Sequence, residues 1–397
     1  MPSGLKSEFL GVGVAIVTLL ATACSEAPNA PVSQNTQSPR STSASLGVRE
    51  GPSTLQWNAK AIELAGRRSI RNPLANRAYM LLSVAEARAL DALSIEARTS
   101  PDIDLGVTSR AAALGGAAAS VLAYLFPADI AEVEAIIDAM RGSAPNAGRF
   151  DAALASGRAA GQGVVAAALT DGSSAVVVPV VPVGPGFWIP TPVIVTPQWP
   201  LVRPMLMSSG SQFRPGPPPA FNSPVFLAAL QRVRDFSDNR TAEQLAILNF
   251  WNDPIPVGGH GAHWNRIAVE LILAEHLTES RAVHVLESLN LAISDATIAC
   301  FDAKYTYWYV RPYQVDPLIT TPLGQPGHAA YPSQHSCQGG AAVGVLQHEF
   351  PHSAASLEAM LSEMNLSREW AGLHYWFDTE VGANMGRQVA GLANAPR

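Results

Sequence analysis

Three short blocks near the C-terminus combine basic side chains, histidines and a serine. In chain order they read "KYTYWYVRP", "YPSQHSC" and "SREWAGLHYWFD". Lys and Arg neutralise the oxygens of a tetrahedral anion, one histidine can attack or ligate its central atom, and a second histidine can move protons. The blocks together therefore predict one composite site for chemistry on an oxyanion.

The first block places Lys304 and Arg311 seven residues apart, which is two turns of a helix. We expect both side chains on one face of a helix that Pro312 ends, because proline removes a backbone donor and clashes with the preceding turn. A basic pair on one helical face is ordinarily solvated, so this block is informative only together with the other two.

The second block predicts the start of a helix. Pro332 precedes Ser333, whose hydroxyl group and the first unpaired N–H groups of the helix are natural donors to an anion. His335 follows as the candidate proton-transfer group. A turn residue would have the same local sequence, so the role of His335 depends on what the other blocks supply.

The third block contains Arg368, His374 and Asp378. His374 and Asp378 are four residues apart, so on one helix they can hydrogen-bond and fix the imidazole tautomer. Such a pair is by itself a modest helix-stabilising contact, and it gains interest from the basic residues of the other blocks.

The elements that must position these residues are helices. Residues 51–178 and 221–397 carry apolar residues at three- and four-residue spacing, with no strand alternation and no solenoid repeat. Between them, residues 179–220 hold 12 of the 31 prolines, a density that no helix tolerates. We therefore expect an all-α protein with a proline-rich covering loop, which the aromatic residues Phe187, Trp188 and Trp199 pack down.

The N-terminal residues 1–24 are typical of an export signal, with an apolar run that leads to small residues and Cys24. The pattern resembles a bacterial lipoprotein signal, in which Cys24 is lipidated and becomes the mature N-terminus. An uncleaved apolar N-terminus on a cytosolic protein is one alternative, and cleavage by the ordinary signal peptidase is another. Residues 25–50 would then be a flexible tether to a periplasmic or membrane-anchored body. No 18-residue apolar run is evident after residue 24, so we expect a lipid anchor and no membrane span.

Composition excludes some classes of function. The 397 residues are 48% apolar and 15% charged, and the net charge of −6 is spread without a basic block, which argues against nucleic-acid binding. In an oxidising compartment Cys300 and Cys337 are either one disulfide or two buried thiols. His260 and His263 in "GGHGAHW" have no accompanying carboxylate or Cys cluster, so a position beside a substrate channel is favoured over a metal site.

Taken together, the spacings Lys-x6-Arg-Pro, Pro-Ser-x-His and Ser-Arg-x5-His-x3-Asp resemble the signature of the type 2 phosphatidic acid phosphatase and vanadium haloperoxidase superfamily. The segments "FWNDPIPVGGHGAHWNRIA" and "AISDATIACFDAKYTYWYVRP" are similar to its bacterial vanadium-haloperoxidase-like branch. The likeness extends over the whole chain after the tether. It implies two packed helical bundles, the second of which contains the site.

The resemblance also implies a role for each site residue. His374 would bond to vanadium or act as the phosphate nucleophile, and Asp378 would orient it. His335 would be the acid–base group. The residues that would hold the oxyanion by charge or hydrogen bonds are Lys304, Arg311, Ser333 and Arg368.

Gln334 departs from the family pattern, which has glycine at this position. An ordinary helix start tolerates glutamine, and its amide can even donate to the oxyanion. A backbone that requires a positive φ would instead distort the site, because glutamine avoids that conformation.

Two further positions bear on halide preference. His328 lies where bromoperoxidases of the family have His and chloroperoxidases have Phe, and Phe301 lies where the fungal chloroperoxidases have Trp. The resemblance therefore favours bromide or iodide over chloride. A loop histidine without a role is the alternative for His328.

The resemblance leaves two chemistries, because five-coordinate vanadate resembles the transition state of phosphoryl transfer. We expect a vanadate-dependent haloperoxidase that uses hydrogen peroxide and a halide, since the likeness is to the haloperoxidase-like branch. An exported acid phosphatase that acts on a small phosphomonoester through a phosphohistidine is the alternative. A catalytically weak anion-binding lipoprotein is a third possible function. The oligomeric state stays open, a dimer included.

Overall fold

The computed structural model describes residues 51–70, 72–252 and 258–396. Across these ranges the chain folds into α-helices with short 3-10 and π-helical turns and no β-strand, and an isolated antiparallel bridge joins Phe187 to Tyr309. The predicted all-α class is confirmed. The predicted export signal, its Cys24 and the tether lie outside the described residues.

The N-terminal helices enclose one apolar core. They are α1 (Ser53–Arg67), α2 (Leu74–Asp91), α3 (Ile95–Thr99), α4 (Thr108–Leu125), α5 (Ile130–Gly142) and α6 (Ala147–Ala168). Small residues let α4 and α6 approach each other closely: a Cβ on Gly157 of α6 would lie 1.9 Å from the carbonyl oxygen of Ala113 in α4. This close approach explains why the sequence of α6 is rich in Ala and Gly.

The C-terminal helices enclose a second apolar core. They are α7 (Pro224–Asp238), α8 (Ala242–Phe250), α9 (His260–Ala274), α10 (Glu279–Tyr307), α11 (Pro312–Val315), α12 (Gln334–Glu349), α13 (Ala354–Trp370) and α14 (Trp376–Ala393). The first turns of α12 pack directly on α14. A Cβ on Gly386 of α14 would lie 2.1 Å from the carbonyl oxygen of Cys337, so glycine is required there.

Helix α10, 29 residues long, contributes to both cores. Val283 and Leu291 pack in the N-terminal core, whereas Leu286 and Ile293 pack in the C-terminal core. The described residues belong to one compact unit. Because α10 is packed on opposite faces, its last turn is a rigid support for the side chains that it carries. The division into bundles at residues 51–178 and 221–397 stays a prediction.

One segment has the length and composition of a membrane span, contrary to the expectation from sequence. It runs from Ile103 to Leu125, and 72% of its apolar window is buried inside the protein. The run is apolar because α4 supplies many of the small residues that contact α6. This degree of burial is that of a core helix in a globular protein.

The proline-rich segment, residues 179–220, contains no α-helix, as predicted, and has one 3-10 turn at Trp199–Leu201. Of the three aromatic residues expected to pack it down, Trp188 and Trp199 are buried. Phe187 remains 39% exposed, so the expectation was wrong for this residue.

Backbone hydrogen bonds attach the proline-rich segment to two loops of the C-terminal half. The N–H of Trp188 donates to the carbonyl oxygen of Trp308 at 2.6 Å, and the N–H of Val195 donates to that of Gly327 at 2.8 Å. Trp308 follows α10 directly, and Gly327 lies in the loop that leads to α12. The segment is therefore attached within the first predicted block, at Trp308, and to the loop between the first and second blocks, at Gly327.

Candidate functional site

The three predicted blocks meet at a single site. Lys304 lies in the last turn of α10, Arg368 lies in the last turn of α13, and α12 begins beside them. The buried polar residues of the site are Lys304, Arg311, Ser333, Arg368, His374 and Asp378. Burying this much charge is costly unless each group has a partner, so the partners define what the site can do.

His374 has one ring nitrogen fixed by a carboxylate and the other beside a guanidinium group. Its Nδ1 donates to Oδ2 of Asp378 at 2.9 Å, and its Nε2 lies 3.0 Å from Nη1 of Arg311. Because Asp378 holds the proton on Nδ1, the Nε2 lone pair is the reactive one. This lone pair currently accepts a hydrogen bond from Arg311.

His374 and Asp378 do not share a helix, which corrects the expectation from their spacing. Helix α14 begins at Trp376, so His374 precedes it. Asp378 lies in the first turn and folds back over the helix start, where Oδ2 also accepts the N–H of Tyr375 at 3.2 Å. The predicted hydrogen bond therefore forms across the helix N-terminus rather than along one helical face.

Lys304 and Arg311 also come from different elements, so the prediction of one helical face was wrong. Helix α10 ends at Tyr307, and Trp308 adopts a left-handed conformation with φ 50°. Pro312 starts α11 instead of ending α10, and Arg311 caps this short helix. Proline is favoured in the first turn of a helix, so its presence did not decide between an end and a start.

The two cations nevertheless converge on one loop. Nζ of Lys304 donates to the carbonyl oxygens of Ala329 and Ala330 at 2.8 and 2.9 Å. Arg311 donates from Nη2 to the carbonyl oxygen of His328 at 3.0 Å and from Nη1 to that of Leu373 at 2.8 Å. Carbonyl dipoles therefore hold both cations in place without neutralising them.

The site carries an excess of buried positive charge. Burial and the neighbouring Arg311 lower the pKa of Lys304 to about 8. Burial raises the pKa of Asp378 to about 7, although Lys304 and Arg311 act to lower it. Burial and the same two cations hold the pKa of His374 well below its usual value. An anion bound here would relieve this repulsion, so the electrostatics favour an anionic ligand.

Ser333 is the N-cap of α12, as predicted. Its backbone N–H donates to the carbonyl oxygen of Asp378 at 2.9 Å, which ties the start of α12 to α14. Its Oγ accepts the N–H of Ser336 at 3.4 Å. The hydroxyl proton remains able to donate to an oxyanion.

Gln334 is the first residue of α12 and has ordinary helical backbone. The position does not require a positive φ, so glutamine is tolerated where the family has glycine. The residue is 7% exposed, and its Nε2 has no hydrogen-bond partner within the described ranges. A buried amide donor without an acceptor costs about 1–3 kcal/mol, so this group is suited to a ligand oxygen.

His335 is half-buried and has two competing contacts at one nitrogen. Its Nε2 lies 3.1 Å from the carbonyl oxygen of Trp251 and 3.0 Å from Nη1 of Arg368. A neutral ring nitrogen can donate to Trp251 or accept from Arg368, but it cannot do both. The tautomer of His335 therefore depends on where Arg368 directs its hydrogen bonds.

His328 lies against Arg311. Its Nδ1 is 3.1 Å from Nη2 of Arg311, and its ring centroid is 5.6 Å from that of the buried Phe301. Burial and the charges of Lys304 and Arg311 hold the pKa of His328 well below its usual value. A neutral imidazole thus borders the site at the position predicted to affect halide preference.

Cys300 and Cys337 are free buried thiols, which selects one of the two alternatives from the sequence. Sγ of Cys300 lies 3.8 Å from the carbonyl oxygen of Pro332, directly behind the start of α12. The described ranges contain no group of three or more His, Cys, Asp or Glu residues that could hold a metal ion.

Sequence reasoning missed one contact of the acid–base candidate. The ring centroid of His260 lies 3.3 Å from that of His335, while its expected place beside a substrate channel stays a prediction. His263, one turn later, instead stacks on the ring of Trp251 at 4.5 Å. The paired glycines before His260 were the available signal, because they mark a backbone turn at the start of α9.

Comparison with solved structures identifies the fold. No protein-family model and no curated protein sequence matches the chain. A bacterial vanadium-dependent iodoperoxidase superposes with a TM-score of 0.71 at 21% identity, over 85% of this chain and 95% of that one. A bacterial vanadium-dependent chloroperoxidase superposes with a TM-score of 0.65 at 16% identity, in an apo form covering 80% and 91% of the two chains and a holo form covering 81% and 91%. The chain has the fold of these enzymes.

Proposed function

We propose that this chain, which has the fold of the bacterial vanadium-dependent haloperoxidases, binds vanadate and oxidises a halide with hydrogen peroxide. The observation that carries the proposal is the convergence of buried cations on His374, whose Nε2 lone pair Asp378 keeps free of a proton. Guanidinium and ammonium donors, a serine hydroxyl and a helix N-terminus form a donor set that matches an oxyanion.

Each residue of the donor set has a distinct part in the proposal. Nε2 of His374 would form the bond to the metal, and Gln334 would supply its unpartnered amide donor. When bound, vanadate supplies the electrophilic centre that activates hydrogen peroxide for oxygen transfer to the halide. The residues that would bind its oxygens are Lys304, Arg311, Ser333 and Arg368.

Arg311 must change partners when the site is filled. Its Nη1 now occupies the Nε2 lone pair of His374 at 3.0 Å. Binding at Nε2 therefore requires that this N–H group turn toward an oxyanion oxygen. The hydrogen bonds from Arg311 to the carbonyl oxygens of His328 and Leu373 can remain, so the exchange needs only a local movement.

His335 is the group proposed to take the proton of hydrogen peroxide. Burial, with the charge of Arg368 and the neighbouring His260, holds the pKa of His335 well below its usual value, so the ring is neutral at pH 7. A neutral ring has a nitrogen lone pair that can accept a proton. Donation from Nε2 to the carbonyl oxygen of Trp251 would leave Nδ1 as that acceptor.

Bromide or iodide is the proposed halide, and the position of His328 supports this. Its neutral ring lies between Phe301 and the guanidinium group of Arg311. An imidazole edge can donate to a halide or to a halogen-bearing oxygen, which a phenyl ring at this position would not do.

An exported acid phosphatase is the second candidate, because the same donors stabilise five-coordinate phosphorus. Nε2 of His374 would attack the phosphorus atom, and His335 would protonate the leaving alcohol oxygen. The contact between His374 and Asp378 serves this chemistry equally well.

The deciding experiment is peroxide-dependent bromination of a phenol dye by the purified protein, with and without orthovanadate, beside phosphate release from p-nitrophenyl phosphate. Vanadate-dependent bromination that His374→Ala abolishes is the expected result. Phosphate release that vanadate inhibits, without bromination, would favour the phosphatase. Inactivity in both assays, with orthovanadate still bound, would indicate the weak anion-binding protein.

A further inference from the structure

We propose that His260 is a positioning residue for His335, which it holds in place and keeps uncharged so that His335 can accept a proton. This inference rests on the proposed function, in which His335 is the acid–base group. It concerns a residue from a different helix and from a sequence segment outside the three blocks. His260 acts through His335 and not on the oxyanion itself.

The geometry of α9 directs His260 onto His335. His260 is the first residue of α9, after Gly258 and Gly259 with φ values of 87° and 81°. A side chain at either glycine would be strained, so the pair fixes the turn that starts the helix. The ring centroids of His260 and His335 are 3.3 Å apart, with the ring planes inclined at 45°. This is direct contact between two imidazoles.

Such a contact limits the rotation of His335. The ring is half-buried, and its polar contacts with Trp251 and Arg368, within the described ranges, are both made by Nε2. One nitrogen fixes a point of the ring but not its plane. The ring face of His260 restricts the orientation of the His335 ring plane. Nδ1 of His335 therefore keeps a fixed direction.

The charges that face His335 come from each element packed around it. Arg368 of α13, His260 of α9 and His374 before α14 all disfavour a proton on His335, whereas the carbonyl oxygen of Trp251 after α8 favours one. Two imidazoles in contact repel each other when both are charged, so the pair takes up its two protons in separate steps.

The matched comparison within the chain is His263. It lies on the same helix, one turn after His260, and it is also half-buried. Its ring stacks on the ring of Trp251, with centroids 4.5 Å apart, and meets the ring of Phe250 edge-on, with centroids 4.7 Å apart. Loss of this imidazole would remove a similar amount of packing, so His263→Asn controls for a purely structural effect.

The test is an NMR titration of the His335 ring in the full chain purified without added vanadate, with the signal assigned by its loss in His335→Gln. In His260→Asn and His260→Ala, the His335 titration is expected to move to higher pH, while His263→Asn leaves it where it is. An unchanged titration in both His260 variants, or an equal movement in His263→Asn, would overturn the proposal. Asn keeps a planar polar side chain, so this variant remains informative if His260→Ala unfolds.

Rates of bromide oxidation by the vanadate-loaded protein then separate the effect of His260 on the charge of His335 from its effect on the orientation of the His335 ring. The acid limb of the kcat/KM profile for bromide oxidation is expected to move to higher pH in both His260 variants. In His260→Ala the maximum should also fall about tenfold, less than the roughly 10²–10⁴-fold attributable to a general acid–base group itself. If no variant or wild-type protein brominates but the NMR titration moves as described, the proposed function fails and the positioning contact stands.

Discussion

Asp378 acts on His374 through one hydrogen bond, and replacing it tests whether tautomer control matters. Asp378→Asn should lower the affinity for vanadate about 10- to 100-fold, as expected for the partner of a metal-ligating histidine. The measurement is a titration of the purified protein with orthovanadate. Asp302→Asn is the control, because Asp302 pairs with Arg214 at 2.6 Å instead of with a site residue. Equal affinities in wild type and Asp378→Asn would contradict the assigned role.

Gln334 offers a second test of vanadate binding, because its buried Nε2 has no hydrogen-bond acceptor within the described residues. Gln334→Met keeps the side-chain length and removes the donor. It should weaken vanadate binding by about 1.5–3 kcal/mol, or roughly 10- to 100-fold, which is typical of a hydrogen bond to a charged group. Calorimetric titration with orthovanadate measures the change.

The control for Gln334 is Gln347→Met on the same helix, since Gln347 donates to the carbonyl oxygen of Ala354 at 2.9 Å. It should leave vanadate affinity unaltered. A large gain of activity in Gln334→Gly would contradict the donor role and would favour the weak anion-binding alternative.

The sequence identified the charged side chains that meet at the site, because their types and spacing reflect the chemistry. It did not identify the backbone groups that hold them. The carbonyl oxygens of Ala329, Ala330 and Leu373 are acceptors for Lys304 and Arg311. Every residue type has a carbonyl group, so only the folded path of these loops determines which ones are used.

Helix ends were the least predictable elements, and the region around Trp308 shows why. A left-handed residue that ends a helix is usually glycine, yet Trp308 takes this conformation with φ 50°. The local sequence gave no sign of it. Its carbonyl oxygen accepts the N–H of Trp188, so the conformation depends on the distant proline-rich segment.

The contact between α12 and α14 predicts a clear difference between two glycines of one helix. A Cβ at Gly386 would lie 2.4 Å from the backbone nitrogen of Ala341, whereas a Cβ at Gly391 would meet nothing within 4 Å. Gly386→Ala should therefore destabilise the fold by about 1–3 kcal/mol through overpacking. Gly391→Ala should be neutral or stabilising by up to about 1 kcal/mol.

Urea unfolding of both glycine variants measures these changes in free energy. Because α12 carries Ser333, Gln334 and His335 in or beside its first turn, Gly386→Ala should also weaken orthovanadate binding. Equal stability of the two variants would show that the helices can separate without cost.

Glu86 of α2 predicts a pH dependence of stability far from the site. Burial raises its pKa well above the ordinary value, although the hydroxyl group of Thr54 donates to it at 2.6 Å. A carboxyl group with a raised pKa in the folded state contributes stability that is complete below its ordinary pKa and is lost as the pH rises through the folded pKa.

Glu86→Gln imitates the protonated acid, so it should raise the free energy of unfolding at pH 8 more than at pH 5. Urea unfolding at the two pH values measures this difference. The exposed Glu96→Gln on α3 is the control and should show no such dependence. A gain at pH 8 no larger than that at pH 5 would refute the prediction.

At the scale of the whole molecule, the all-α class followed from helical spacing and from the absence of strand alternation. The contacts that connect the two cores did not follow from the sequence. Buried amides connect four helices there: Asn58 donates to Asn265 at 2.7 Å, Asn265 donates to Asn290 at 2.7 Å, and Asn290 donates to Ser83 at 2.9 Å. Each asparagine lies in an otherwise apolar helical pattern, so its partners depend on tertiary packing.

Export with a lipid anchor at Cys24 is the proposal for the whole protein, supported by the sequence of residues 1–24. The wild-type protein should fractionate with membranes and incorporate a labelled fatty acid when expressed in a bacterium. Cys24→Ser should incorporate none and should lose its acyl attachment to the bilayer. The same distribution and labelling for both proteins would exclude an anchor at this residue.

The attachment of the proline-rich segment to the loops after α10 and before α12 has a consequence for how the protein can be altered. Trp188 and Val195 hold the loops after α10 and before α12 from outside, without contributing a side chain to the anion site. Changes in residues 179–220 that keep these two backbone hydrogen bonds can thus be made without replacing a predicted site residue.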